Sequence, residues 1–223
     1  MELYDVMHTT FAAREFTDAP LPDATLYRIL DHARFAPSGG NRQGWQVIIV
    51  RERATREALV ALTEPAAKRY VAQQRAGENP WNSIHPTAVD DATIAQTSAL
   101  ARLTEPLLRA PVILVVCVDL QVVASTDQYL DRVGVISGAS IYPFAWNILL
   151  AARHEGYGGT ITTLAVAQEP KLQALLGLPA HVAVGAVMPL GQPVTQLRRL
   201  RRKAVSEFAM HERWGGPALR AEP

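Results

Sequence analysis

The stretch from Phe35 to Val50 reads F-A-P-S-G-G-N-R-Q-G-W-Q-V-I-I-V. It begins where an amphipathic helix should stop, and it ends in an apolar run, Gln46–Val50, with the character of a buried strand. Pro37 disfavours helical geometry at Ala36, and Gly39 and Gly40 allow backbone angles closed to other residues. A helix passing into a strand through such a loop points to a mixed α/β chain. The loop itself fits either of two readings, a plain connector or a turn that offers backbone N–H groups to a ligand such as a phosphate.

Upstream, Pro22 to Ala36 carries Leu26, Ile29, Leu30 and Ala33 at helical spacing, with Pro22 and Asp23 suited to its first turn. Before it come a short helix over Glu2–Thr9, the segment Thr10–Phe16 and a turn, Thr17–Pro22. Downstream, Arg53–Gln74 is helical. Arg75–Asp91 has two prolines and no period, so it reads as a loop, and Tyr70–His85 is the stretch expected to act as a lid. Within it Trp81 suits either a cover for a planar ligand or an anchor for the loop. Ala92–Leu108 reads as one helix, and Val112–Val118 as a strand buried on both faces. A polar segment, Asp119–Arg132, precedes a long apolar helix from Gly134 to about His154. Gly156–Gly159 is a second glycine-rich turn, leading into a strand at Thr160–Thr163. Gln168–Leu176 is a helix closed by Gly177, and His181–Leu190 is the last strand.

The chain has 223 residues, 48% apolar and 19% charged, with a net charge of +1, so an ordinary globular protein is expected and any basic site is local. The single cysteine, Cys117, excludes an internal disulfide and fits a reducing cytoplasm. The N-terminus lacks the pattern of a signal peptide. Gly134–Ala152 is uncharged and long enough to cross a bilayer, but Ser137, Ser140, Pro143 and Asn147 argue for a protein core or a core shared between subunits.

The six histidines are scattered without metal-ligand spacing. No nucleophile elbow, Walker A sequence or dinucleotide fingerprint is present; Gly156-x-Gly158-Gly159 precedes a strand rather than following one. What remains is two glycine-rich turns, isolated cations at Arg14 and Arg42, and the basic run Arg198-Arg199-Leu200-Arg201-Arg202-Lys203. An enzyme without a side-chain acid, base or nucleophile suits cofactor chemistry. The basic run alone reads first as a solvated face, second as a phosphate ligand and only distantly as a nucleic-acid contact, since no aromatics interleave it.

Six segments in order resemble the nitroreductase family of FMN-dependent oxidoreductases: Thr10–Phe16, Ala36–Trp45, Asn147–Ala152, Gly156–Gly158, Pro189–Gly191 and Arg199–Arg201. The resemblance implies an α+β, three-layer α/β/α fold with a central mixed, mainly antiparallel sheet and a long buried dimer-interface helix. It implies an FMN-binding domain over residues 1–205 and a C-terminal tail, 206–223, extended or partly disordered. The implied partners are a second copy of the chain, sharing two active sites, and a small-molecule electron acceptor, with no nucleic acid and no membrane.

By the same resemblance, FMN would be held by Thr10, Phe11, Ala12, Arg14, Gly158, Gly159, Thr160, Arg198 and Arg199, with Pro37, Ser38, Gly39, Asn41 and Gln43 coming from the other subunit. Arg14 would lie at the polar edge of the ring, Arg199 and Arg198 at the phosphate, and Gly158 and Gly159 would let backbone approach the ring face near N5. No catalytic side chain and no metal are implied. The reaction would be ping-pong, with NAD(P)H reducing the flavin and a nitroaromatic or quinone oxidising it; reductive dehalogenation and flavin fragmentation are the same-fold alternatives. Thr10-Phe11-Ala12 departs from the family's Arg-Arg-Ser, which removes a phosphate cation and a hydroxyl. That leaves the phosphate to the C-terminal arginines or the Thr10 hydroxyl, and leaves room for a deazaflavin in place of FMN.

Overall fold

The computed structural model describes residues 1–221. In chain order its elements are α1 (Leu3–Thr9), α2 (Asp23–Ala33), β1 (Trp45–Val50), α3 (Arg53–Arg75), α4 (Asp91–Gln96), α5 (Ala101–Arg109), β2 (Val112–Asp119), α6 (Tyr142–His154), β3 (Gly158–Gly159), α7 (Glu169–Leu176) and β4 (Val182–Gly191). The four strands lie in the order β1-β2-β4-β3, each antiparallel to its neighbour. Parallel pairing enters as an isolated bridge between Ala12 and Gly159, which gives the sheet its mixed character.

Strand β2 explains the layering. Its β-branched run alternates between two cores, as a period of two requires. Val112, Leu114, Val116 and Val118 face a cluster with Leu26 and Ile29 of α2 and Phe144, Ile148 and Leu149 of α6. Ile113, Val115 and Cys117 face Leu59 of α3, Leu107 of α5 and Leu172 of α7 on the other side. Helices thus cover both faces of the sheet, giving the three-layer α+β arrangement. Each fully buried leucine or isoleucine in these clusters removes apolar surface worth roughly 1.5–3 kcal/mol from water. Trp45, at the start of β1, stacks on Phe144 of α6 with ring centroids 4.8 Å apart, which fixes the exit of the Pro37–Gly44 loop against the core.

Three expected elements differ. The single helix over Ala92–Leu108 is two helices, α4 and α5, broken at Thr97, whose backbone is extended. The Thr97 hydroxyl donates to the Thr93 carbonyl at 2.8 Å, and such side-chain bonding to backbone competes with helix continuation. The long apolar helix does not start at Gly134: α6 begins at Tyr142, after an irregular segment and a 3₁₀ turn at Ser137–Ser140. The cause is Asp127. Its buried carboxylate accepts the N–H of Val135 at 2.7 Å and that of Ile136, together with the Arg132 guanidinium and the Ser125 hydroxyl, so those N–H groups are bound outside any helix. The glycine turn also differs, because Gly158 and Gly159 are themselves the short strand β3, and Thr162 makes a bridge to Val187.

Alone, the chain leaves one side of α6 uncovered. Phe144, Ala145, Ile148, Leu149 and Ala152 point into the core, whereas Tyr142 is 46% and Trp146 41% exposed. After β4 the chain runs through Gln192–Lys203 to a 3₁₀ turn at Val205–Glu207 and a bridge between Met210 and Ala218. The last two residues of the expected 206–223 tail lie outside the described residues. No helix among the described residues is long and apolar enough to cross a membrane.

Candidate active site

The expected site residues gather in two groups. The first is built around Thr10–Thr17, which runs as an extra ribbon at the β3 edge of the sheet. The Ala13 N–H donates to the Gly159 carbonyl at 2.9 Å, the Thr17 N–H to the Gln192 carbonyl at 2.9 Å, and the Val194 N–H to the Glu15 carbonyl at 3.1 Å. This ribbon carries Phe11, Ala12 and Arg14 beside Gly158, Gly159 and Thr160. Gln196 donates to the Thr9 carbonyl at 2.9 Å, which brings the segment leading to Arg198 and Arg199 to the same end. Both arginines are exposed and make no ion pair among the described residues.

Arg14 is exposed, and its guanidinium donates to the Ala12 carbonyl at 3.2 Å; the residue lines a cavity of about 50 Å³ with Arg102, Thr160, Thr162 and Pro189. Arg102, from the first turn of α5, belongs to no sequence motif and was not singled out by the sequence. Thr10 is buried, and its hydroxyl donates to the Val6 carbonyl at 2.7 Å, where it caps α1. Gly159 is glycine because of its neighbours on β4. A Cβ there would collide with the Pro189 carbonyl oxygen and with Leu190 Cδ2.

The second group is the loop between α2 and β1. Gly40, Asn41 and Gln43 all have positive φ, at 62°, 52° and 49°. For the non-glycine pair this is sparsely populated backbone that persists only where surroundings over-determine it, and such strain clusters at ligand sites. Here the Ser38 hydroxyl accepts the Gln43 N–H at 2.9 Å, Ser140 Oγ accepts the Gly39 N–H at 3.1 Å, and Arg42 donates to the Val122 carbonyl at 3.3 Å. Ser140 is a supporting residue that sequence patterning does not reveal, since it lies 101 positions from its partner. Pro37, Gly39, Asn41 and Gln43 remain exposed.

The two groups sit at opposite ends of the sheet. Gly159 pairs with Leu190 at the C-terminal end of β4, and Leu190 with Val112. The loop enters at Trp45, which pairs with Val118, itself opposite Ala183 near the start of β4. Seven residues of strand separate the two rows, about 20–25 Å at ~3.4 Å per residue. One chain therefore does not bring the expected set together. An apolar hollow of about 450 Å³, lined by Val118, Leu120, Ile141, Tyr142 and Ala183, lies at the loop end.

The remaining candidates are structural. Trp81 is an anchor rather than a mobile cover. Its backbone N–H donates to Gln73 Oε1 at 3.1 Å, its indole N–H points at the Ala66 carbonyl, and Arg69 stacks over its ring at 4.5 Å. Cys117 is buried in β2, and burial pushes its thiol up to about 11, the opposite of a reactive thiolate. The Val135 N–H, with Arg132, Ser125 and Ile136, holds the Asp127 carboxyl down at about 2. No group of three or more metal-ligating side chains occurs among the described residues.

A family model described as the Nitroreductase family matches residues 9–192. A protein named NADH dehydrogenase from Thermus thermophilus is 28% identical over 193 residues, covering 82% of each chain. Iodotyrosine deiodinase 1 of Rattus norvegicus is 23% identical over 209 residues, covering 93% of this chain and 68% of its own. Among solved structures, an oxidized iodotyrosine deiodinase bound to FMN and 3-iodo-L-tyrosine aligns over 96% of this chain and 100% of its own, with a TM-score of 0.68 at 18% identity.

Proposed function

Because the chain belongs to the nitroreductase family, matched from residue 9 to 192, we propose that this oxidoreductase uses FMN and works as a homodimer with two shared sites. The observation that carries the reading is the division of the candidate residues between opposite ends of one sheet. Each chain holds two half-sites and no whole one. A second copy, related by a two-fold axis, can set the Pro37–Gln43 loop of one protomer against the Thr10–Arg14 ribbon of the other. The uncovered face of α6, with Tyr142 and Trp146, and a groove of about 360 Å³ beside Leu3, Val6, Asn147 and Leu150 supply apolar surface for that contact.

The donor set fits FMN. Arg198 and Arg199, exposed and without an ion pair among the described residues, are suited to the planar, two-pronged recognition of a phosphate. They would carry that group, since Phe11 and Ala12 have no polar side chain and the Thr10 hydroxyl proton is committed to Val6. Arg14 stands over a cavity whose lining includes two arginines and no carboxylate, suited to the electron-rich N1–C2=O edge of the ring. Pro37, Ser38, Gly39, Asn41 and Gln43 would orient the ring and ribityl chain from the other protomer. When bound, FMN would supply the hydride acceptor and donor, taking electrons from NAD(P)H and passing them to an electron-poor acceptor such as a nitroaromatic or quinone. The chain contributes binding, orientation and charge, which is why it offers no side-chain nucleophile. A cytoplasmic setting fits the single, buried cysteine.

Two measurements on the purified protein test this. Its absorption spectrum should show a flavin, or acquire one on adding FMN, and sedimentation should give a dimer. Protein that neither carries nor takes up FMN refutes the proposal. A second reading, reductive dehalogenation in the same cleft, is favoured by the sequence likeness to iodotyrosine deiodinase over 93% of this chain. Turnover of an iodinated tyrosine, but not of nitroaromatics or quinones, by the FMN-loaded dimer would select it.

A further inference from the structure

We propose that Arg102 is a second cofactor-binding cation, which clamps the anionic edge of bound FMN together with Arg14 and so helps to set the reduction potential. The inference rests on the FMN reading above and goes beyond it, because no motif of the sequence points to Arg102. Its basis is two arginines that line one cavity holding no acid. Of the described arginines, only Arg28, Arg34, Arg51, Arg53 and Arg132 lie within 3 Å of a carboxylate, so it is the shared acid-free cavity, rather than the lack of a partner, that sets Arg14 and Arg102 apart. Arg14 and Arg102 make no ion pair among the described residues, yet the fold brings both to one cavity.

Two elements cause the convergence. Arg14 comes from the ribbon held by the Ala13–Gly159 and Thr17–Gln192 hydrogen bonds. Arg102 comes from α5, which is fixed by burial of Pro106 and Leu107 against the sheet. The rest of the lining is apolar or neutral, from Leu103, Pro106 and Leu107 of α5 and from Thr160, Ile161, Thr162 and Pro189, with no acid among them. Two exposed arginines lining a cavity without a counter-charge make a setting that an anionic ligand group complements. At about 50 Å³ the cavity admits a carbonyl-sized edge and excludes a three-ring system. The cavity would therefore receive no more than a polar edge of the group, which Arg14 and Arg102 would hold. Negative charge collects at that edge on reduction, so both cations favour the two-electron-reduced form over the oxidised one.

The test compares FMN-loaded wild type with R102Q, R102K and R14Q, by spectroelectrochemical titration and by FMN binding. R102Q should lose about tenfold in its preference for reduced over oxidised FMN, a fall of ~30 mV for a two-electron couple. R102K should recover most of that loss, and R14Q should shift in the same direction as R102Q. Because Arg102 is exposed on a first helical turn, far-UV circular dichroism of R102Q should match wild type, and R102K provides the charge-retaining comparison if it does not. A wild type that holds FMN while R102Q keeps an unchanged potential overturns the assignment of Arg102 alone. A wild type that takes up no FMN overturns the flavin reading and this inference with it.

Discussion

Replacing Gly159 by alanine would drive a methyl group into the Pro189 carbonyl oxygen and Leu190 Cδ2 of β4. The leucine side chain can turn away, but the carbonyl belongs to a strand paired on its other side with β2, between Val112 and Ile113. Relief therefore requires β3 to move away from β4, straining the Gly158–Gly191 and Gly159–Leu190 pairs. Overpacking of this kind costs about 1–3 kcal/mol, and collision with backbone puts it in the upper half of that range. For a chain of this length each kcal/mol shifts the melting temperature by ~2–4 °C, so a fall of roughly 4–12 °C is expected. Gly158→Ala is the internal control. There the methyl would meet Pro193 Cγ at 3.0 Å and Ala13 Cβ at 3.4 Å, contacts that a change of ring pucker can ease. Melting followed by circular dichroism, with and without FMN, separates packing from ligand contact. Gly159→Ala should lose stability in both states, and its loss of FMN should follow its loss of fold. A Gly159→Ala protein that melts within about 1 °C of wild type would refute the steric argument.

Removing the phosphate cations with Arg198→Ala and Arg199→Ala should weaken FMN binding by at least about tenfold, the scale of one charge-assisted contact, while riboflavin, which lacks the phosphate, binds unchanged; fluorescence titration of both ligands checks this. Asp127→Asn should release the Asp119–Ser140 segment, seen as faster amide exchange at Val135 and Ile136. In the wild type the carboxyl is depressed to about 2 from its ordinary value of 3.8, so its contribution is present above 3.8 and is lost as pH falls through about 2. Cys117 has the opposite sign. Its thiol is raised to about 11 from 9.0, so its contribution is complete below pH 9.0 and is lost as pH rises through about 11. At pH 8 a thiol reagent should label Cys117 only after unfolding.

The parts of this fold that sequence made legible are those decided locally. Val112–Val118 announces a strand covered on both faces because seven consecutive apolar residues leave no solvent side. The ends of α2 and β1 follow from Pro37 and the glycines after it. The misreadings arise where a side chain intervenes from a distance. Val135 and Ile136 suit a continuous apolar helix until the Asp127 carboxylate, eight and nine residues back, takes their N–H groups. Thr97 ends a helix through a hydroxyl whose partner hydrophobic periodicity does not register. The candidate site was legible as a set of residues through family resemblance. Its geometry was not: that the set divides between two sheet ends depends on strand register, and Arg102 shares a cavity with Arg14 only after α5 has packed.

The placement of the two half-sites has a genetic consequence. In the proposed dimer, a chain damaged in the Pro37–Gln43 loop keeps a sound ribbon, and a chain lacking Arg14 keeps a sound loop. Each homodimer would be dead at both sites. A heterodimer of the two pairs sound loop with sound ribbon once, rebuilding one complete site and leaving the other doubly damaged. Random exchange of subunits between two inactive stocks should therefore restore about a quarter of all sites. Complementation between lesions, rather than the severity of either one, is the behaviour the proposed dimer would show.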